Sequence, residues 1–255
     1  MRARHDQHFL IDPHAVERIA SLAEVKGKRV LEIGPGNGVL TRALLNHGAI
    51  VCAVELDGSL CEELNTFFSG EIARGQLTVQ QGDATRCKLP HFDIVVSNLP
   101  YSISSKITFR LLDIGFEEAV LMYQSEFADR MVAPAGTKDC SRLSIMVQTF
   151  AAVQECFYLP PHCFSPKPQV HSSVVKIFPR GQPLFPLKSR HLYADVVRAL
   201  FSHRRKTVRN CLKGSGGILD PEWVKRVINL LPDEILKSRP EELFLEDFAT
   251  IANVA

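Results

Sequence analysis

Long hydrophobic runs are missing from this 255-residue sequence. No stretch approaches the roughly 20 apolar residues that a membrane-spanning helix requires. The first residues, from Met1 to Asp6, contain no apolar core of the kind found in secretory signal peptides. We therefore expect a cytoplasmic protein with no membrane partner.

Paired cysteines are also missing. The seven cysteines lie at positions 52, 61, 87, 140, 156, 163 and 211, and no two of them form a Cys-x-x-Cys pair. This spacing disfavours a zinc site and a disulfide framework. We expect no metal and reduced cysteines in the core.

A strong charge of either sign is the third thing that the chain lacks, since its formal net charge is only +2. The distribution is uneven, because residues 180–255 carry a balance of +4 and residues 1–179 a balance of −2. The basic C-terminal part predicts a polyanionic partner there. A 45% apolar content and a mean hydropathy of +0.01 indicate a globular protein with a sizeable core.

Short β-branched runs alternate with amphipathic segments along the first two thirds of the chain, which predicts a doubly wound, mainly parallel α/β sheet. We predict strands over 29–33, 50–55, 77–81, 92–97 and 119–123, and helices over 13–24, 39–46, 59–68 and 103–112. A helix over 141–150 and strands over 152–158 and 172–178 follow, the last two as an antiparallel edge. After a Pro/Gly linker we predict helices over 189–201, 204–213, 221–230 and 240–252. The expected domains are therefore 1–180 and 187–255.

Asn98-Leu99-Pro100-Tyr101 ends the predicted strand over 92–97, where open α/β sheets bind their ligands. An exocyclic aromatic amine is a poor nucleophile because its lone pair is delocalised. The Asn98 side-chain oxygen and the Leu99 carbonyl could accept from its N–H groups and draw the nitrogen towards a nucleophilic geometry. Pro100 favours an extended conformation at Leu99, and Tyr101 offers a ring for a base to stack on. An ordinary capped turn is the alternative.

A glycine loop follows the first predicted strand, with Gly34, Gly36 and Gly38 after the acidic Glu32. Such a loop lets a ligand approach the backbone. The G-x-G-x-G spacing departs from the dinucleotide fingerprint and matches the S-adenosylmethionine loop of class I methyltransferases. A structural turn is the alternative.

Two further acidic residues end the next strands. Glu55 comes 21 residues after Gly34, where a carboxylate can accept from both ribose hydroxyls. Asp83, in Gly82-Asp83-Ala84, is placed to accept from an adenine amine. The alternatives are a solvated strand end for Glu55 and a helix cap for Asp83.

Together these motifs resemble the KsgA family of ribosomal RNA adenine dimethyltransferases. The resemblance covers nearly the whole chain. Two residues depart from the bacterial pattern, Asp6 for glycine and His8 for asparagine, and the histidine resembles archaeal and eukaryotic members. It includes Gln7-His8-Phe9-Leu10, the glycine loop, Val54-Glu55-Leu56-Asp57, Gly82-Asp83-Ala84, Asn98-Leu99-Pro100-Tyr101, and the segments 136–144, 160–170 and 201–210.

The resemblance implies a Rossmann-like class I methyltransferase domain followed by a small helical domain. It implies S-adenosylmethionine-dependent dimethylation of N6 on two adjacent adenosines near the 3′ end of small-subunit ribosomal RNA, during subunit maturation. The implied partners are that RNA and the immature small subunit, with the protein acting as a monomer. The implied S-adenosylmethionine contacts are His8, Leu10, Gly34, Glu55, Asp83 and Asn98.

Two further groups of residues have open interpretations. Phe164, among prolines, either anchors a loop in the core or helps to hold the flipped base. A basic run that includes Arg205, Arg209 and Lys213 on one expected helix face is either a solvated surface or a set of phosphate contacts. The full run of candidate RNA contacts is Arg204, Arg205, Lys206, Arg209 and Lys213.

Three rival functions remain. DNA adenine and protein glutamine methyltransferases share the motif pattern, but commonly have proline where Leu99 stands. A non-catalytic assembly or transcription factor could keep the fold, although the intact acidic residues and Asn98 argue against it. A large-subunit RNA target, as in the erythromycin-resistance methylases, is the third.

Overall fold

Runs of valine, isoleucine and leucine form the buried strands of the protein. The structure is a computed structural model that describes residues 7–254. Asp6 lies outside the described residues. The strands are β1 (Phe9–Leu10), β2 (Arg29–Ile33), β3 (Ile50–Glu55), β4 (Leu77–Gln81), β5 (Ile94–Asn98), β6 (Glu118–Gln124), β7 (Ala151–Leu159), β8 (Phe164–Ser165) and β9 (Ser172–Pro179).

Amphipathic segments between the strands form helices. These are α1 (Pro13–Ala20), α2 (Val39–Asn46), α3 (Gly58–Phe67), α4 (Ser69–Ala73), α5 (Ser104–Ile114), α6 (Ser125–Val132), α7 (Arg142–Phe150), α8 (Arg190–Phe201), α9 (Val208–Lys213), α10 (Pro221–Leu230), α11 (Asp233–Lys237) and α12 (Leu245–Asn253). Helices α4, α6 and α11 were not predicted from the sequence. No helix within residues 7–254 is long and apolar enough to cross a membrane.

Seven strands form one sheet in the order β4-β3-β2-β5-β6-β9-β7. The pairs from β4 to β6 are parallel, and β9 pairs antiparallel with β6. The mainly parallel α/β class is therefore confirmed, as is the antiparallel edge. The chain moves outward from β2 to β4 and then returns to the other side of β2 with β5, so the strand order reverses between β2 and β5. A crevice at such a reversal is where open α/β sheets bind ligands.

The core of the parallel sheet is apolar on both faces, as strands covered by helices require. Val30, Leu31, Val51, Val95 and Val96 are all fully buried. Helix α1 begins where Asp12 accepts from the backbone N–H of His14 at 2.9 Å. The burial of the strands on both faces of the sheet fixes the carboxyl ends of β2, β3 and β5 at one edge.

Two compact units divide the chain. The first comprises residues up to Ala128 together with Val153–Pro179, and the second comprises Asp129–Ala152 together with the residues from Arg180. The second unit therefore includes α7, which the sequence analysis placed in a domain spanning 1–180. The predicted functional division at 180–187 stays a prediction.

The helix predicted over 204–213 begins later than expected. Residues 202–206 form a turn, and α9 starts at Val208, whose N–H donates to the carbonyl of Ser238 at 2.8 Å. Arg205 precedes the helix, so the expected single helix face of Arg205, Arg209 and Lys213 is wrong. The segment predicted over 240–252 is likewise split into a short 3₁₀ turn, Pro240–Glu242, and α12.

Candidate active site

A crevice opens at the carboxyl ends of β2 and β5. The two strands pair at Val30 with Ile94 and at Leu31 with Val95. At the end of β2 the N–H of Ile33 donates instead to the side-chain oxygen of Ser97, at 2.8 Å. The Ser97 side chain thus lies between the ends of the two strands and holds their backbones apart. The glycine loop follows β2 on one side of this gap, and the Asn98 motif follows β5 on the other.

Two cavities share this crevice. The first cavity is lined by the N-terminal residues 7–10, the glycine loop and the Asn98–Tyr101 tetrapeptide. The second cavity is lined by the residues after β3, the Asp83 loop and the start of α5. Their shared wall consists of Gln7, Gly34, Glu55 and Pro100. One elongated ligand could therefore occupy both.

The structure brings most predicted site residues together. His8, Leu10, Gly34, Glu55, Asn98, Leu99 and Tyr101 line the first cavity. Asp83 lines the second, with Gly34 and Glu55. Phe164 lines neither of the two cavities.

A short two-stranded sheet holds the N-terminal segment over the first cavity. Phe9 pairs with Ser165 and Leu10 with Phe164, in antiparallel register. The N–H of Ile11 adds a hydrogen bond to the carbonyl of Cys163 at 2.8 Å. The proline-rich segment 160–170, recognised in the sequence only as a motif, therefore supports one wall of the candidate site.

The side-chain amide of Asn98 has a fixed orientation. Its Nδ2 donates to the backbone carbonyl of His8 at 3.0 Å. A carbonyl oxygen can only accept, so the atom that faces it must be the nitrogen. The Asn98 oxygen is then held on the other side of the amide, where it can accept from a ligand.

The rings of His8 and Tyr101 lie next to each other, with centroids 5.5 Å apart. His8 Nδ1 lies 2.8 Å from the carbonyl oxygen of Pro166, and must carry the proton that this bond requires. The Tyr101 hydroxyl is hydrogen-bonded to the Ser172 hydroxyl at 2.7 Å. That bond and the neighbouring His8 ring fix the position of the Tyr101 ring in the wall of the first cavity.

Glu55 is 5% exposed and already accepts two backbone N–H groups. These come from Gly36 at 3.2 Å and from Asp57 at 3.0 Å, one on each carboxylate oxygen. Each oxygen keeps a lone pair that can accept a further donor, such as a hydroxyl. The two N–H groups hold the carboxylate rigidly at the shared wall.

Glu32 is fully buried beneath the glycine loop, with 1% exposure. Burial raises its pKa to about 8, the hydroxyl of Thr41 lowers it, and the nearby charge of Glu55 raises it again. The Thr41 hydroxyl donates to Glu32 at 2.6 Å. Because burial disfavours the charged carboxylate and the Glu55 charge adds to that effect, Glu32 retains its proton around neutral pH.

Asp83, the second residue of the loop after β4, forms a tight local turn. Its Oδ1 accepts from the N–H of Thr85 at 2.8 Å and from the Thr85 hydroxyl at 2.7 Å. These donors hold the pKa of Asp83 below its usual value. The Thr85 bonds occupy Oδ1, whereas Oδ2 lies 3.7 Å from Nε of the exposed Arg86. That separation is longer than a hydrogen bond, so Oδ2 can still accept from an amine in the second cavity.

Two apolar residues predicted to act at the site are buried. Leu99 and Phe164 are each 1% exposed. Leu99 lines the first cavity. Because its side chain is buried, the backbone is the part of Leu99 that a ligand could contact. Phe164 packs in the main core with Leu10 and Cys163, and its burial favours the core anchor among the two interpretations.

Leu56 and Phe9 are site residues to which the sequence analysis gave no role. Leu56 follows Glu55, is 56% exposed and lines the second cavity, where it offers an apolar surface to a flat ring. The Phe9 ring lies against Gly36, so close that a Cβ there would be 2.7 Å from Phe9 Cε1. The sequence indicates these two residues only in that each is an apolar residue within a motif, Val54-Glu55-Leu56-Asp57 or Gln7-His8-Phe9-Leu10.

The candidate RNA-contacting residues belong to the second unit, and only some have free charges. Arg204 pairs with Glu241 at 3.2 Å, and Arg209 pairs with Asp233 at 3.2 Å. Within residues 7–254, the remaining three, Arg205, Lys206 and Lys213, are exposed and form no ion pair.

The sequence matches the family model described as ribosomal RNA adenine dimethylase over residues 1–253. It is 59% identical over 253 residues to a probable ribosomal RNA small subunit methyltransferase A of Methanospirillum hungatei, covering 99% of this chain and 98% of that one. A protein of the same description from Methanosarcina mazei is 43% identical, over 98% of this chain and 91% of that one.

Two solved structures have similar folds over 96% of this chain. A dimethyladenosine transferase from Plasmodium falciparum superposes with a TM-score of 0.79 and 30% identity, covering 96% of that chain. The 23S rRNA methyltransferase ErmE superposes with a TM-score of 0.67 and 25% identity, covering 99% of that chain.

The contact between Gly36 and Phe9 can be tested with a matched pair of glycine substitutions. Gly36→Ala would place a Cβ against the Phe9 ring, whereas Gly75→Ala, at a similar positive φ, meets open space. Both carry the left-handed backbone cost of about 1–2 kcal/mol, and Gly36→Ala adds an overpacking cost of about 1–3 kcal/mol. Urea unfolding should show the larger loss for Gly36→Ala, and equal losses would contradict the contact.

The protonated state of Glu32 predicts a pH-dependent stability. Between its unfolded pKa of 4.5 and its folded pKa of about 8, the folded protein binds a proton that the unfolded chain has released. Its contribution is therefore greatest below pH 4.5 and is lost as pH rises through about 8, with a slope of up to about 1.4 kcal/mol per pH unit.

Glu32→Gln should remove that decline, because the neutral amide keeps an acceptor for Thr41 without a titrating proton. Denaturant unfolding of both proteins across pH 5 to 8.5 measures the difference. Parallel curves for wild type and variant would mean that Glu32 is ionised in the folded state.

Proposed function

The chain belongs to the ribosomal RNA adenine dimethylase family, and from that premise we propose that it adds two methyl groups to N6 of each of two adjacent adenosines near the 3′ end of small-subunit ribosomal RNA. The methyl donor is S-adenosylmethionine, and the substrate is the immature subunit. The observation that carries this proposal is the fixed Asn98 amide at the strand reversal. The protein acts as a monomer in the cytoplasm.

The residues of the two cavities suit the parts of S-adenosylmethionine. The close approach of Gly34 to Pro100, where an added Cβ would be 3.3 Å from Pro100 Cδ, leaves room for the donor only beside a bare backbone. Glu55 would accept from ribose hydroxyls, Asp83 from the adenine amine, and the exposed Leu56 would pack on the adenine ring. His8 and Leu10 line the first cavity beside Asn98. Bound there, the donor would supply a methyl group already activated on its sulfonium.

The chain itself supplies orientation. With Nδ2 committed to the His8 carbonyl, the Asn98 oxygen accepts from the target amine and favours the pyramidal nitrogen that attacks. The Leu99 carbonyl, just before Pro100, serves as the second acceptor. The target base stacks on the face of Tyr101, whose hydroxyl bond to Ser172 prevents the ring from turning. The proton of the amine departs to solvent after the methyl transfer, so no strong base is required.

Phe164 contributes indirectly. Its core position and its pairing with Leu10 fix the N-terminal segment that carries His8. Holding His8 in place holds the Asn98 amide in turn.

RNA binding is assigned to the basic turn and helix of the second unit. Arg205, Lys206 and Lys213 have uncompensated charges and are the phosphate contacts. Arg204 and Arg209 are held by Glu241 and Asp233, so they shape the surface and add less net charge to it.

The decisive experiment incubates the purified protein and S-adenosylmethionine with three substrates: immature small subunits, naked small-subunit RNA and naked large-subunit RNA. Mapping of N6,N6-dimethyladenosine should find two adjacent modified adenosines near the 3′ end of the small-subunit RNA. If only large-subunit RNA were modified, the substrate would be large-subunit RNA and the proposed small-subunit target would be wrong; the fold is shared with the 23S rRNA methyltransferase ErmE. No modified adenosine in any substrate would overturn the activity.

Asn98→Ala should reduce kcat by about 10²-fold or more, because it removes a preorganised acceptor at the nitrogen where charge develops. RNA affinity should change little. Tyr101→Phe is the matched comparison, since it keeps the ring face, loses the bond to Ser172 and should keep much of the activity. Single-turnover methylation assays would contradict the stacking role of Tyr101 if Tyr101→Phe were as inactive as Asn98→Ala, and would contradict the role of Asn98 if Asn98→Ala kept its rate.

The phosphate contacts can be tested by a charge-matched comparison. Replacing Arg205, Lys206 and Lys213 by Gln should weaken RNA binding and reduce the slope of log K against log salt by roughly 0.9 per lost contact, on the duplex-DNA calibration. The control replaces Arg180, Lys188 and Arg226, three exposed basic residues of the same unit that, like the tested residues, form no ion pair within residues 7–254. Filter binding across a salt series should leave the control slope near wild type, and equal slopes in all three proteins would contradict the assignment.

A further inference from the structure

The loop that carries Asp83 has little structure of its own. Twelve residues separate the end of β4 at Gln81 from the start of β5 at Ile94, and they contain no helix or strand. Asp83 is the second of them. A carboxylate meant to recognise one edge of a ring needs its backbone fixed to within a fraction of an ångström, so something outside the loop must hold it.

Local hydrogen bonds account for part of this. The N–H of Gly82 donates to the carbonyl of Glu55 at 2.8 Å. The carbonyl of Asp83 accepts from the N–H groups of Arg86 and Cys87, at 2.9 and 2.8 Å. These bonds close the turn, but only the first of them ties it to the rest of the protein.

Arg110 of helix α5 supplies the missing anchor. Its Nη1 donates to the carbonyl of Ala84 at 2.7 Å, and its Nη2 donates to the carbonyl of Cys87. The planar guanidinium therefore spans both ends of the turn, with a fixed geometry that a lysine could not reproduce. Helix α5 begins just after Tyr101, so the same helix adjoins the tetrapeptide and holds the Asp83 loop.

We propose that Arg110 is a positioning residue for adenine recognition: by holding the carbonyls of Ala84 and Cys87, it places the Asp83 carboxylate against the amine of the S-adenosylmethionine adenine. This rests on the proposed use of S-adenosylmethionine. Arg110 does not line the second cavity, and its effect passes entirely through the loop. Its loss should therefore impair discrimination at the adenine edge more than affinity for the remainder of the ligand.

The test compares the dissociation constants of two ligands by calorimetry. One is S-adenosylhomocysteine, and the other is its analogue with hypoxanthine in place of adenine, which presents an oxygen where adenine presents its amine. Wild type should favour adenine by about tenfold or more, because a carboxylate that loses its donor forfeits a charged hydrogen bond. Arg110→Ala should reduce this preference to less than about threefold, and Arg110→Lys, which can reach one carbonyl, should be intermediate.

Two controls separate positioning from general stability. Arg42→Ala removes an arginine that pairs with Glu71 and packs over Phe68; it should lower the melting temperature and keep the adenine preference. Asp83→Asn should lose the preference by itself, and adding Arg110→Ala to it should change the ratio no further.

The outcomes distinguish the two proposals. If wild type binds neither ligand, the use of S-adenosylmethionine is overturned. If wild type discriminates and folded Arg110→Ala or Arg110→Lys keeps the full preference, or loses affinity for both ligands equally, then Arg110 does not position Asp83. Reduced discrimination in both Arg110 variants, with the preference intact in Arg42→Ala, supports the inference.

Discussion

The hydrogen bond from the Asn98 side chain to the His8 carbonyl is the interaction on which the candidate site depends. A primary amide has two faces of opposite character, and catalysis at an amine needs its oxygen. One backbone carbonyl decides which face is presented. That carbonyl is in place only because Phe9 and Leu10 pair with Phe164 and Ser165, and because the His8 ring is bonded to Pro166. Residues far apart in the chain thus determine the chemistry of one side chain.

The strand reversal provides the other half of the arrangement. Because β2 and β5 are neighbours with their connections on opposite sides, the glycine loop and the Asn98 motif approach each other without a covering segment between them. Ser97 widens the gap between β2 and β5 at the carboxyl ends of these strands, because its side-chain oxygen accepts the N–H of Ile33. The fold therefore creates the crevice, and the N-terminal segment closes it. Neither would form the first cavity alone.

The sequence predicted the family, the α/β class and five central strands, because buried parallel strands have a strong local signal of β-branched residues between turns. It also predicted that Glu55 and Asp83 would come at the ends of successive strands and Asn98 at the end of the strand over 92–97, all at one edge of the sheet, since the carboxyl ends of parallel strands gather there. It could not predict the pairing of two-residue strands across about 150 residues, which depends on tertiary packing alone. For the same reason it placed the start of α9 four residues too early, where Val208 bonds to Ser238, and left the role of Phe164 open.

Residues of the proline-rich segment 160–170 support the candidate site without lining it. Cys163, Phe164, Ser165 and Pro166 line neither of the two cavities described. Yet each is bonded to, or paired with, a residue between His8 and Ile11. In a screen for inactive alleles, substitutions there would be expected to mimic damage to Asn98, although more than 60 residues of sequence separate them. Mutational maps of such a chain would show a catalytic signature along a stretch of backbone that lines neither cavity.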